Sequence, residues 1–138
     1  MTMRVVVADD HAPFRRAARA MLAASAEYQL VGEATSGEQA VALAETLHPD
    51  LVLMDITMDG IGGIEAARSI KDAYPDTATI LVSTYREGDL PSDAQTCGAV
   101  GYVHKAELAA SVITRLLRGR GSPPSPACEP TSPSSGRA

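Results

Sequence analysis

With 138 residues, 45% of them hydrophobic and 21% charged, the chain is long enough for one compact domain and is composed like a soluble globular protein. No apolar run approaches the roughly 18 residues of a membrane span, and the N-terminus lacks a basic-then-apolar signal pattern, so a cytoplasmic location with no membrane partner is expected. A formal net charge of -5 with no dense Lys or Arg cluster argues against direct nucleic-acid binding, and Cys97 and Cys128 have neither metal-ligand nor disulfide-framework spacing.

Met3 to Ala8 (MRVVVA) is a β-branched run that ends at Asp9 and Asp10; behind it, Phe14 to Ala24 carries helix formers after Pro13, a residue that a first helical turn tolerates. Gln29 to Ala34 (QLVGEA) reads as a second strand. Ser36 with Gln39 forms a capping box that opens a helix over Gly37 to Leu47, and His48-Pro49 stops it. Asp50 to Met54 is the third strand; Leu51, Val52, Leu53 and Met54 do not alternate with polar residues, as in a strand covered on both faces.

Gly63 to Ala73 is the third helix and Thr79 to Val82 (TILV) the fourth strand. A fourth helix over Gly88 to Cys97 is expected to be short or mobile, because Pro91 and the polar run Ser92, Asp93, Gln95 and Thr96 leave little apolar face. Val100 to Val103 is the fifth strand, and Leu108, Val112, Ile113, Leu116 and Leu117 mark one face of a closing helix. From Gly119 onward Pro, Ser and Gly dominate, so residues 1–118 read as the folded domain and residues 119–138 as a disordered tail.

Strands alternating with helices predict an α/β domain, a doubly wound five-stranded parallel sheet in the order 2-1-3-4-5 with five flanking helices. In such sheets function gathers at the carboxyl ends of the strands, where the strand order reverses. Asp9 and Asp10 follow strand one and Asp55 ends strand three, its neighbour, so three carboxylates are expected in one crevice. Like charges held together either raise one another's pKa values or hold a divalent cation, and oxygen-only ligands suit Mg²⁺. A carboxylate in such a place can also attack phosphorus and form an acyl phosphate. Any one of these Asp residues alone would read as a helix cap. Ser83 and Lys105 extend the same face, since a hydroxyl and an ammonium at the ends of strands four and five can bind phosphoryl oxygens.

Asp9-Asp10-His11 after a β-branched strand, LVLMD ending at Asp55, Ser83 after TILV, and GAVGYVHK from Gly98 to Lys105 together resemble the receiver domain of bacterial two-component response regulators, of the CheY-like superfamily. The DDH triplet and the GYVHK ending are most similar to receivers of LuxR- and NarL-type regulators. The resemblance implies that Asp55 accepts a phosphoryl group from a sensor histidine kinase or a small donor such as acetyl phosphate. It implies that Asp10, Asp55 and the backbone carbonyl of Thr57 ligate Mg²⁺, with Asp9 acting through metal-bound water. Lys105 would pair with the phosphoryl oxygens, Ser83 would move to hydrogen-bond one of them, and Tyr102 would swing inward behind it. The switch would catalyse its own phosphorylation and dephosphorylation without turning over a separate substrate, and would signal through the surface of the fourth helix, fifth strand and fifth helix, a possible homodimer face.

Three positions depart from that family's pattern. Asp59 stands where Pro usually follows the Met, Gly62 where Asp often precedes Gly63, and Ala106 where Pro often follows the lysine. Asp59 and Gly62 predict a more flexible loop after Asp55, Ala106 argues against the family's usual cis bond after the lysine, and the departures near Asp59 keep open an alternative: a degenerate receiver acting as a phosphorylation-independent interaction module. A third class, a phosphatase or flavin binder on the same architecture, lacks its marks, since Thr57 supplies no second acid and Ala12-Pro13 no phosphate-cradling loop. Ser83 is favoured over Thr84 as the switch hydroxyl because it directly follows the apolar run. Tyr102 has a packing reading beside the functional one. His11 reads as a loop residue, His48 and His104 as structural or solvent-facing, and Arg15, Arg16 and Arg19 as a solvated helix face.

Overall fold

A computed structural model describes residues 2–58, 60–84 and 91–121. Five parallel strands, β1 (Met3–Ala8), β2 (Tyr28–Ala34), β3 (Leu51–Asp55), β4 (Ala78–Ser83) and β5 (Gly101–His104), form one sheet in the order β2-β1-β3-β4-β5. Between and after them lie the helices α1 (Ala12–Ala23), α2 (Gly37–Leu47), α3 (Gly62–Ala73) and α4 (Ala110–Gly121). Every residue of β3 and β4 is buried, as their unbroken apolar character requires of central parallel strands.

Alternation along the strands divides the core into two halves, one on each side of the sheet. Val5, Val7, Leu51, Leu53, Ile80, Val82 and Val103 pack with Leu22 of α1 and Ile113 of α4. Val6, Ala8, Val52, Met54 and Leu81 pack with Ala40 and Ala44 of α2 and with Ala66 and Ile70 of α3. A fully buried Ile or Leu contributes about 1.5–3 kcal/mol, so Ile113 is the principal anchor of α4.

The expected capping box forms, with a difference. Gln39 N donates to Ser36 Oγ at 3.1 Å, while Gln39 Oε1 accepts from Thr35 N at 2.7 Å, one residue before the cap.

The segment expected to form a short or mobile helix over Gly88 to Cys97 carries a 3-10 turn over Ser92–Gln95 among the described residues, with Ala94 and Cys97 buried against the core; residues 88–90 lie outside them. The last helix, α4, runs to Gly121, the last of the described residues. Adding a turn to an existing helix is far easier than nucleating one, so Gly119 does not stop it. Asp59 and the remainder of the foreseen tail, residues 122–138, lie outside the described residues.

Candidate functional site

The register of the sheet builds the site. Val5 pairs with Leu51 and Ala8 with Met54, so one step further Asp9 stands opposite Asp55. By alternation both acids continue the row of Val7 and Leu53, on the side covered by α1 and α4, and Lys105 continues the row of Val103. Three charged side chains thus leave the ends of β1, β3 and β5 toward one side of the sheet. Ser83 and Tyr102 belong to the opposite row, with Leu81.

Asp9, Asp10 and Asp55 each offer a carboxylate oxygen within 4.8 Å of the others. Asp9 is 0% exposed and Asp55 is also buried, whereas Asp10 reaches solvent. Lys105, its side chain 16% exposed, places Nζ 2.7 Å from Asp9 Oδ2 and 3.6 Å from Asp55 Oδ2. Asp9 Oδ2 has no hydrogen-bond donor at a proper angle, so the ammonium is its compensation. Asp9 Oδ1 accepts from His11 N at 2.8 Å. The Phe14 ring lies beneath Lys105 Nζ at 4.6 Å from its centroid, a cation–π contact that holds the lysine over the acids.

Burial pushes the Asp55 carboxyl up to about 6, and the Asp9 charge pushes the same way, with a smaller push from Asp10; Lys105 and a hydrogen bond from the Thr57 backbone N–H pull it down. A carboxylate so destabilised as an anion gains from any cation delivered beside it. Three carboxylates with neither nitrogen nor sulfur among the donors suit a hard divalent cation, Mg²⁺ above all. Close packing fixes the acid from behind: a Cβ at Gly63 would overlap the Asp55 carbonyl oxygen, so only glycine allows α3 to start there. Gly62, at φ +79°, turns the chain into that helix through a backbone region that glycine adopts without penalty.

Of the residues singled out by sequence, the structure brings Asp9, Asp10, Asp55 and Lys105 together. Thr57, two residues past Asp55, is exposed and meets Asp55 through its N–H. Ser83 is buried at the end of β4 and Thr84 is exposed. Tyr102 packs half-buried against the Met54 side of the core, its OH 3.4 Å from the Ser83 carbonyl. His104 does more than face solvent: its Nδ1 accepts from Ala106 N at 3.1 Å and caps the 3-10 turn Lys105–Glu107. Arg15 and Arg19 are not simply solvated; both engage Glu33 near the end of β2. Sequence reasoning missed Glu33 and Phe14. The available signal was the i,i+4 spacing of Arg15 and Arg19, which puts two guanidinium groups on one helix face in need of an anion.

A comparison with known families finds the response regulator receiver domain over residues 5–117. The chain belongs to that family. This receiver is 40% identical over 114 residues to the response regulator GacA of Pseudomonas viridiflava, covering 83% of this chain and 53% of the relative. It is 36% identical over 114 residues to the response regulator UvrY of Escherichia coli, covering 83% of this chain and 52% of the relative. The chain therefore spans about half the length of the curated relatives it matches. Among solved structures, the receiver domain of the putative response regulator NarL from Mycobacterium tuberculosis superposes with a TM-score of 0.79 at 30% identity, covering 88% of this chain and 98% of that one. The LuxR- and NarL-type resemblance read from the DDH and GYVHK motifs agrees with these neighbours. Among the described residues no helix is long and apolar enough to cross a membrane.

Proposed function

We propose that this receiver is a phosphorylation-driven switch in which Asp55 takes a phosphoryl group from a sensor histidine kinase. The observation that carries the reading is the convergence of Asp9, Asp10 and Asp55 within 4.8 Å, with the Lys105 ammonium beside two of them. An Asp55 carboxylate oxygen attacks phosphorus, the bond from phosphorus to the donor's imidazole nitrogen breaks, and an acyl phosphate remains on Asp55. Asp10 and Asp55, with the Thr57 carbonyl, are the residues that would hold Mg²⁺ directly, and Asp9 would act through its water. The ion supplies positive charge against the carboxylates and the incoming phosphoryl oxygens.

Lys105 leaves its Asp9 partner to meet the new dianion, and Ser83 offers a hydroxyl at the end of β4. Tyr102 packs behind that hydroxyl, so the two couple the phosphoryl group to the β5–α4 surface. That surface, together with the Ser92–Gln95 turn before β5, is the possible homodimer face in this reading. The protein works in the cytoplasm, processes no separate substrate, and passes its signal to a downstream output without itself touching nucleic acid.

Incubation with acetyl phosphate and Mg²⁺ tests this. An acid-stable, base-labile mass gain of one phosphoryl group that Asp55→Asn abolishes supports the switch. No gain together with no Mg²⁺ affinity would instead identify a phosphorylation-independent interaction module, and turnover of a phosphate ester an enzyme.

A further inference from the structure

The end of β2 contributes no side chain to the acidic cluster, yet it is tied to it. Arg15, in the second turn of α1, is only 19% exposed in its side chain. Its Nη1 donates to the Asp9 carbonyl at 2.8 Å, and its Nε donates to Glu33 Oε1 at 3.3 Å. Arg19, one turn further on and 54% exposed, closes on the same carboxylate, with Nε 2.9 Å from Oε2 and Nη2 3.0 Å from Oε1. Glu33 thus holds two guanidinium groups, and one of them reaches past it to the backbone of Asp9.

That carbonyl belongs to the peptide that joins Asp9 to Asp10. The preceding Asp9 N–H is itself bound to the Ala34 carbonyl at 2.9 Å, and Asp9 Oδ1 is held by His11 N. With its N–H held by β2, its carbonyl by Arg15 and its carboxylate by the following turn, Asp9 is restrained on both sides of its Cα, and the Asp9-Asp10 peptide is restrained with it. That peptide carries the Cα of the exposed Asp10, so holding it narrows the directions in which the Asp10 side chain leaves the backbone. A flexible ammonium could not do this: spanning the Glu33 carboxylate and the Asp9 carbonyl at once needs the planar fork of a guanidinium.

We infer that Arg15 is a positioning residue for the divalent-cation site, orienting Asp10 through the Asp9 carbonyl, and that Glu33 is its brace. The inference rests on the reading of Asp9, Asp10 and Asp55 as that site. Neither Arg15 nor Glu33 touches the ion or the phosphoryl group. Their effect is to deliver the acids already arranged, so that a cation does not have to order the loop as it binds.

Calorimetric titration of the full chain with Mg²⁺, alongside urea denaturation without metal, tests the assignment. Arg15→Met keeps the aliphatic stem and should weaken Mg²⁺ binding about tenfold. Arg15→Lys keeps the charge as well and should weaken it comparably while folding like the wild type. Glu33→Gln should weaken binding several-fold in the wild-type background and not at all in the Arg15→Met background, because a brace has nothing to hold once the guanidinium is gone. A purely structural tie between α1 and β2 would lower the denaturation midpoint of the variants and leave Mg²⁺ affinity at the wild-type value; that result overturns the inference, as do additive losses in the double variant. Wild-type protein that binds no Mg²⁺ would bring down the reading of the site itself, and the inference with it.

Discussion

Lys105 Nζ stands 2.7 Å from Asp9 Oδ2, so in the absence of metal the lysine's charge is committed first to the most deeply buried acid of the cluster. Asp55, at 3.6 Å, is the second partner. Removing the ammonium would leave Asp9 as an uncompensated buried charge. Lys105→Met should therefore lower stability near neutral pH by roughly 2 kcal/mol, less than a fully enclosed pair because Lys105 keeps some solvent contact. Millimolar Mg²⁺ should restore part of the loss. Urea denaturation in chelator and in Mg²⁺ measures both, and equal stability of variant and wild type in chelator would show that the pair contributes nothing.

Asp55 makes stability depend on pH in the opposite sense to a salt-bridged acid. Its folded-state pKa is raised from 3.8 to about 6, so the folded chain binds a proton that the unfolded chain has already released. The resulting penalty is absent below the unfolded value, grows as pH rises toward 6, and is complete above it. Its size is on the order of 3 kcal/mol. Asp55→Asn carries no such penalty, so without metal it should be more stable than wild type at pH 8, with the advantage shrinking as pH falls through 6 and gone near 4. A variant advantage that grows on acidification would contradict this.

The turn that carries Lys105 depends on an N–H that proline would lack. Ala106 N donates to His104 Nδ1, and asparagine can accept in the same way. His104→Asn should be close to neutral, and His104→Leu should cost about 1 kcal/mol and weaken the hold on Lys105. The Lys105 ¹⁵N-ammonium or side-chain methylene NMR shifts would report the second effect; identical spectra for both variants would exclude a role for the cap.

Gly63 and Gly119 predict opposite outcomes for the same substitution. Gly63→Ala would drive a methyl into the Asp55 carbonyl, with an expected loss of about 1–3 kcal/mol and a displaced carboxylate. Gly119 has nothing within 4 Å of the added carbon and lies exposed in α4, so Gly119→Ala should be neutral or slightly stabilising. Thermal denaturation of the two variants side by side decides it.

Much of this was legible before any coordinates. The central strands announce themselves because β1, β3 and β4 are nearly pure apolar runs; Asp9 and Asp55 sit where two of them stop, and Lys105 follows the shorter β5. Their meeting then follows from strand order alone. What escaped the sequence was lateral. Glu33 looks like any polar residue at the end of a half-exposed strand, and only the packing of α1 over the β1–β2 pair gives it Arg15 and Arg19. Phe14 looks like an ordinary core residue until the last strand end brings Lys105 over its ring.

The two-sided core makes the length of β3 a functional quantity in its own right. Odd-numbered residues of that strand look toward α1 and α4, and even-numbered ones toward α2 and α3. A single residue inserted or deleted between Leu51 and Asp55 would rotate the acid to the wrong layer, leaving every other part of the chain intact. In the turn between α3 and β4 the same edit would change only a connection. The loops can thus take added residues, whereas the distance in residues from Leu51 to Asp55 is fixed by the sheet.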